Sequence, residues 1–118
     1  MTEVCRIHEE HHDKIQKAQE KLPGEEKILE MADFFDAFGN PTRLKILLAL
    51  MEAKELCTCD LSAITKLSVS AISHQLRILK DRKIVTYRKD GKNVFYRLDD
   101  EHILNILRVT LEHLMEGR

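Results

Sequence analysis

The sequence predicts a mainly α fold carrying one β-hairpin, and three observations predict it. From about Asp60 to Arg82 a short helical stretch, a tight turn at Leu67-Ser68 and a second helical stretch follow one another. Immediately afterwards IVTYR and NVFYRL, rich in β-branched and aromatic residues, flank the Gly-containing turn Lys89-Asp90-Gly91-Lys92. The positive charge of the chain gathers in the same third. Lys66 to Arg97 holds nine basic residues against Asp81 and Asp90, a net of +7, while residues 1–40 carry −5 and 98–118 carry −3. Helix, turn, helix and basic hairpin, in that order, describe a winged helix-turn-helix, a fold that places its second helix in the DNA major groove.

The elements read in order as follows. Residues 9–21 (EEHHDKIQKAQEK) are charged with few anchors and form an arm or a loosely docked helix, which Pro23-Gly24 ends. Residues 1–24 are therefore expected to be an N-terminal arm, and residues 25–118 the winged helix-turn-helix domain with a C-terminal dimerisation helix. Glu25 to Phe38 has Ile28, Leu29, Ala32, Phe35 and Ala37 or Phe38 at helical spacing and stops at Gly39. Asn40-Pro41 is a cap followed by proline at the first helical position. The helix to Ala53 is apolar almost all round and should lie at the centre of the core. The short helix from about Asp60 to Lys66 turns Leu61 and Ile64 inward. Ser68 caps the next helix, which buries Val69, Ile72, Leu76 and Leu79 as one stripe. After the hairpin, Asp99 caps an amphipathic helix to about Glu116.

The chain's 118 residues suit one compact domain, and 43% hydrophobic residues exclude wholesale disorder. No apolar run approaches the ~20 residues of a membrane span, and the charged start MTEVCRIHEE is unlike a signal peptide, so a cytoplasmic protein is expected. Three cysteines then read as reduced thiols or ligands. On the second helix of the motif the residues off the apolar stripe are Ser70, Ser73, His74, Gln75, Arg77 and Lys80, beside the cap Ser68. All can hydrogen-bond bases or phosphates, and no carboxylate that would repel phosphate occurs from Leu67 to Lys80. Arg88, Lys89 and Lys92 on the wing are expected phosphate contacts, although a merely soluble turn has the same composition. An enzyme is not expected: His74 near Ser70 and Ser73 has no pocket and no oriented acid.

Two clusters have the chemistry of metal ligands. Cys57 and Cys59, in ELCTCD, are two thiols at a helix start, where the helix dipole lowers thiol pKa. Two buried inert cysteines are the alternative. Two ligands do not complete a tetrahedral site, and the arm Cys5-Arg6-Ile7-His8-Glu9-Glu10-His11-His12 can supply the rest. Three or more thiolates favour Cd(II) or Pb(II), with Zn(II) also possible. The second cluster is Asp100, His102, His113 and Glu116. His102 and His113 project to nearly the same side of one helix but stand ~16 Å apart along it, so one chain cannot bring them to one ion. Two copies packed antiparallel about a twofold axis can, pairing Asp100 and His102 of one with His113 and Glu116 of the other, in N/O sites suited to Zn(II) or Co(II).

From about Ile28 to Glu116 the sequence resembles the ArsR/SmtB family of metal-responsive repressors, and is most similar to its cadmium/lead/zinc-sensing CadC branch. GNPTRLKIL, ELCTCDL, SVSAISHQLRIL and the set Asp100, His102, His113 and Glu116 carry the resemblance. It implies that Cys57 and Cys59 are metal thiolates, that an arm carrying Cys5 crosses from the partner subunit, and that Asp60 stands where some relatives use an acid. Relatives with this arm have a second Cys or His four residues after the first. Here that position is Glu9, so either His8, His11 or His12 substitutes or the site is three-coordinate in thiolate. The implied protein is a homodimer that holds double-stranded operator DNA in its apo form and leaves it on binding Zn(II), Cd(II) or Pb(II), controlling an efflux or resistance operon. Two rivals make different predictions: a thiol redox switch at Cys57/Cys59, and a metal buffer or chaperone that does not read DNA.

Overall fold

The computed structural model describes residues 11–117. Two compact units divide the chain, residues 1–32 and 33–118. In the first, α1 (His12–Lys21) buries none of its residues and ends at Leu22, which leads in extended conformation into Pro23. A Gln16–Glu20 hydrogen bond of 3.2 Å spans one turn of it. Helix α2 (Glu25–Phe38) opens on Glu25 and Glu26, whose charges suit the positive end of the helix dipole.

The second unit holds the end of α2 and everything after it. Asn40 caps α3 (Pro41–Ala53), accepting from the Arg43 amide at 3.0 Å, with Pro41 where a missing N–H costs nothing. Ile46, Leu47 and Leu50 of α3 are wholly buried. Around them pack Leu61 of α4 (Thr58–Thr65), Ile72, Leu76 and Leu79 of α5 (Val69–Asp81), Ile84, Val85, and Ile103 and Leu107 of α6 (Glu101–Leu114). Burial of these side chains drives the fold, at roughly 1.5–3 kcal/mol apiece. Between α3 and α4 a two-residue strand, β1 (Leu56–Cys57), pairs antiparallel with β3 (Asn93–Leu98), which pairs in turn with β2 (Val85–Asp90) in the order β1-β3-β2.

Several expectations need correction. The short helix begins at Thr58 rather than Asp60, so Cys57 is its cap and Cys59 lies within its first turn. Ile64 is 53% exposed instead of inward. Val69, expected in the buried stripe, is 44% exposed, because the stripe starts one turn later at Ile72. Asp100, one residue on from Asp99, caps α6. Lys89 and Asp90 belong to strand β2. The turn is Gly91-Lys92 alone, with Gly91 at φ +65°, as a type II′ hairpin requires at its first central residue. The third strand was not anticipated, since two residues are too few to show an alternation.

Candidate nucleic-acid interface and metal-ligand pairs

The second helix of the motif, α5, presents the polar residues expected of a reading surface. Ser68, Ser70, Ser73, His74, Arg77 and Lys80 are all exposed, and Ile72, Leu76 and Leu79 fix the opposite face to the core. Ser68 Oγ accepts from the Ala71 amide at 3.1 Å, so it caps the helix as well as fronting it. No acid stands in the first turn of α5, which leaves the positive helix end open to phosphate. Val69 in that turn is exposed as well, and apolar surface of this kind can pack against a thymine methyl.

Gln75 differs from its neighbours. It is half-buried, and its Oε1 accepts from an Arg43 guanidinium nitrogen at 3.1 Å. The same guanidinium donates to the carbonyls of Ala37 at 2.8 Å and Asp36 at 3.3 Å. Arg43 thus meets the Ala37 carbonyl at the end of α2, shares the Asp36 carbonyl with the Gly39 amide, and fixes which way the Gln75 amide faces. At the far end of α5, Arg82 makes a two-pronged ion pair with Asp33 at 2.9 and 3.0 Å, and this hydrogen bonding holds the Asp33 carboxyl below its usual range. The recognition helix is therefore fastened to the end of α2 at two points, neither of which the sequence reading singled out.

On the wing, Lys89 and Lys92 are exposed. Arg88 is engaged within the protein. Its guanidinium makes two bonds to Glu55, of 2.8 and 2.9 Å, and lies 4.9 Å from the Phe95 ring centre. The Arg88 hydrogen bonds also hold the Glu55 carboxyl below the ordinary range. Lys80 sets its ammonium 5.2 Å from the Tyr87 ring centre, close enough for a cation–π contact between recognition helix and wing.

The donor pairs stand at separate places. Cys57, half-buried, and Cys59, exposed, are both free thiols at the joint between β1 and α4. Asp60 closes a capping box there, accepting from the Cys57 amide at 3.1 Å, while Cys57 caps the Asp60 amide. At the start of α6, one Asp100 oxygen accepts from the His102 and Ile103 amides at 2.9 and 3.2 Å. The other faces His102 Nδ1 at 3.3 Å. Hydrogen bonding to His102, and then to the Ile103 amide, lowers the Asp100 pKa and keeps the carboxylate charged. Ligands held at about 2.0–2.1 Å from a tetrahedral ion lie about 3.3 Å from each other. The Asp100–His102 pair, at 3.3 Å, is a hydrogen-bonded pair whose two donors stand close enough together to be offered to one ion. His113 lies near the opposite end of α6 and Glu116 just beyond it, both exposed.

Among the described residues no three Cys, His, Asp or Glu side chains gather as a metal site. Cys5 and His8 lie outside the described residues. The structure brings Cys57 near Asp60 and Asp100 beside His102, and keeps His113 and Glu116 apart from both.

The arsR family of bacterial regulatory proteins matches residues 40–87, which run from the cap of α3 into the wing. A transcriptional repressor SmtB homolog of Synechocystis sp. is 42% identical over 107 residues, covering 91% of this chain and 80% of that protein. A cadmium resistance transcriptional regulatory protein CadC homolog of Staphylococcus aureus is 37% identical over 114 residues, covering 97% of this chain and 93% of its own length. The chain belongs to the ArsR family. Among solved structures, the antimony-specific transcriptional repressor AntR superposes with a TM-score of 0.73 at 33% identity, over 82% of this chain and 87% of that one. The fold of this ArsR-family chain is accordingly a DNA-binding winged helix-turn-helix, with α4 and α5 as its two helices and β2–β3 as its wing.

The chain also exposes apolar surface. Val109, Leu114 and Met115 of the C-terminal helix region are 62%, 72% and 75% exposed, and Phe35 on α2 is 55% exposed. Phe35 and Leu114 line a groove of about 290 Å³ whose lining, including Phe38, Leu44, Leu48 and Ile106, is almost wholly apolar. Apolar area of this extent on a small protein marks an association surface.

Proposed function

We propose that this chain is a metal-sensing repressor that binds operator DNA as an apo homodimer and releases it when Zn(II), Cd(II) or Pb(II) binds, so controlling a metal efflux or resistance operon in the cytoplasm. The observation that carries the metal reading is the Asp100–His102 pair. It places a carboxylate and an imidazole side by side at the cap of α6, and it sits on the helix whose apolar side is exposed, where a second copy could supply the remaining donors. An antiparallel α6 pair would bring His113 and Glu116 of the partner subunit to Asp100 and His102. The thiol site would hold Cys57 and Cys59 with Cys5, and with His8 or Asp60 as further donors. Asp60 already spends one oxygen on the helix cap, which favours the thiols as the principal ligands. Residues 1–24 act in this reading as a metal-binding arm, and the remainder as the DNA-binding and dimerisation domain.

Release follows from linkage. DNA holds the two α5 helices about one helical turn, ~34 Å, apart. Metal shared between subunits is best satisfied in another arrangement, so each ligand weakens the other by the same factor. Ser68, Ser70, Ser73, His74, Gln75, Arg77 and Lys80 read or position the DNA, and Lys89, Lys92 and Arg88 meet phosphate from the wing. No helix among the described residues is long and apolar enough to cross a membrane.

Fluorescence anisotropy of DNA from the region upstream of the coding sequence tests this reading. The apo protein should bind tightly and let go on addition of Cd(II), Pb(II) or Zn(II). Comparison of Cys57→Ser/Cys59→Ser with His102→Ala/His113→Ala identifies the controlling site as the one whose loss keeps DNA bound. Release by peroxide with no response to metal would replace metal sensing by a thiol redox switch, for which the exposed Cys59 is well placed. Metal binding without DNA binding would make the chain a buffer.

A further inference from the structure

The wing arginine is held by a residue that adjoins the thiol pair. Arg88 on β2 pairs across the sheet with Phe95 on β3, and Phe95 pairs with Cys57 on β1, so Arg88, Phe95 and Cys57 form one row through all three strands. The row spans two strand spacings, about 10 Å. Glu55 stands immediately before β1, two residues from Cys57, and takes both prongs of the Arg88 guanidinium at 2.8 and 2.9 Å. Phe95 lies under the same guanidinium, and Asp90 adds a longer contact at 3.7 Å. Half of the Arg88 side chain remains exposed, against 30% for Glu55, so the arginine faces outward from a fixed carboxylate. A guanidinium binds carboxylate and phosphate with the same fork.

We propose that Glu55 is a latch on the wing: its carboxylate competes with a DNA phosphate for Arg88, and its place beside Cys57 ties that competition to the thiol site. In the free protein Arg88 rests on Glu55. On DNA the phosphate competes with that carboxylate, so the wild type makes the wing contact only in part, and removing the charge at Glu55 lets Arg88 make it fully. Ligation of Cys57 fixes the segment Glu55-Leu56-Cys57 and holds the carboxylate against Arg88, which opposes the wing's phosphate contact. Only this last step rests on the metal-sensing reading; the competition for Arg88 requires DNA binding alone.

The test uses Glu55→Gln, which keeps the size of the side chain and removes its charge, together with Arg88→Gln and the double variant. Each full-length protein is titrated onto a duplex selected from a random pool by the wild type, at several salt concentrations. A latch predicts that Glu55→Gln binds more tightly and that its plot of log affinity against log salt is steeper by up to about 0.9, the value of one whole phosphate contact that Glu55 withholds in the wild type. A merely structural loss would not raise that slope. The gain should vanish in the double variant. Adding Cd(II) should weaken DNA binding by Glu55→Gln less than by the wild type, by roughly 2- to 30-fold, the range typical of residues that transmit coupling. An unchanged slope in Glu55→Gln, or a gain that persists without Arg88, overturns the latch. An equal Cd(II) effect in both proteins overturns its link to the thiols. A wild type that binds DNA but ignores Cd(II), Pb(II) and Zn(II) alike would refute the metal-sensing reading, and the salt slope would still decide the competition for Arg88.

Discussion

Replacing Arg43 tests how the recognition helix is held. Its guanidinium meets the Ala37 carbonyl at 2.8 Å, the Asp36 carbonyl at 3.3 Å and Gln75 Oε1 at 3.1 Å. Ala37 is wholly buried, so water gives its carbonyl little help once the arginine is gone. Losing a charged donor to a buried carbonyl costs about 1.5–3 kcal/mol, and the Gln75 bond adds about 0.5–1.5. The Asp36 carbonyl also accepts from the Gly39 amide at 3.1 Å, so it contributes less. Arg43→Leu should therefore destabilise the fold by about 2–4 kcal/mol. Near the midpoint each kcal/mol is worth roughly 4–8 °C for a domain of 60–100 residues. Arg43→Lys keeps the charge but has no fork with which to reach two partners, and should recover less than half of the loss. Urea unfolding of the three proteins measures all of this. Recovery of wild-type stability in Arg43→Lys would mean that charge rather than geometry matters, and a loss below about 0.5 kcal/mol in Arg43→Leu would refute the clamp. Because Arg43 also orients the Gln75 amide, the surviving folded protein should discriminate less between operator sequences.

Two further expectations concern association and pH. Val109→Glu/Leu114→Glu places charge on the exposed apolar side of α6 and should convert dimer to monomer in sedimentation, with a large loss of affinity for a two-half-site duplex. The Asp33 carboxyl is lowered in the folded state by its Arg82 hydrogen bonds, so the pair's contribution is complete above the unfolded carboxylate pKa. It fades only as the pH falls below roughly 4 and through the lowered folded value. Asp33→Asn should therefore reduce stability at neutral pH and flatten its decline in that acid window, as followed by circular dichroism. An unaltered acid profile would show that the pair is not maintained in solution.

Periodic apolar patterning made the helices legible, and β-branched runs around Gly91 made the hairpin legible, because both signals extend over many residues. The features that escaped are those set by single contacts at long range. β1 owes its existence to pairing with Phe95 and Tyr96, some forty residues away, and two residues have no period to detect. The end of helix α4 near Lys66 was legible, but its start was placed two residues late, because Cys57 and Asp60 cap one another there in a way that apolar spacing does not show. Val69 satisfies the stripe on a helical wheel yet lies in the first turn, beyond the edge of the core. The roles of Arg43, Arg82 and Glu55 were equally hidden: each is an ordinary charged residue until folding brings it to a carbonyl or an opposite charge.

The arrangement of the donor groups has a consequence for how such a chain can respond to metal. Among the described residues of one copy, no candidate site gathers three donors. The thiols stand at the joint of β1 and α4, and the Asp100–His102 pair is separated from His113 by the length of α6. A site that one copy completed alone would bind metal equally well in any arrangement of the dimer, and a ligand with equal affinity for two states shifts neither. Donors divided between copies bind only when the copies stand in the arrangement that closes the site. Incomplete clusters are thus what a switch requires, since they make metal affinity depend on subunit geometry, and the same geometry sets the spacing of the two α5 helices. To move a population from 99% bound to 1% needs about 5.5 kcal/mol of differential affinity. Gaining or losing two of four ligands is a large enough change in a metal site to supply a difference of that size, whereas a distortion of an already complete site would have to do so through strain alone.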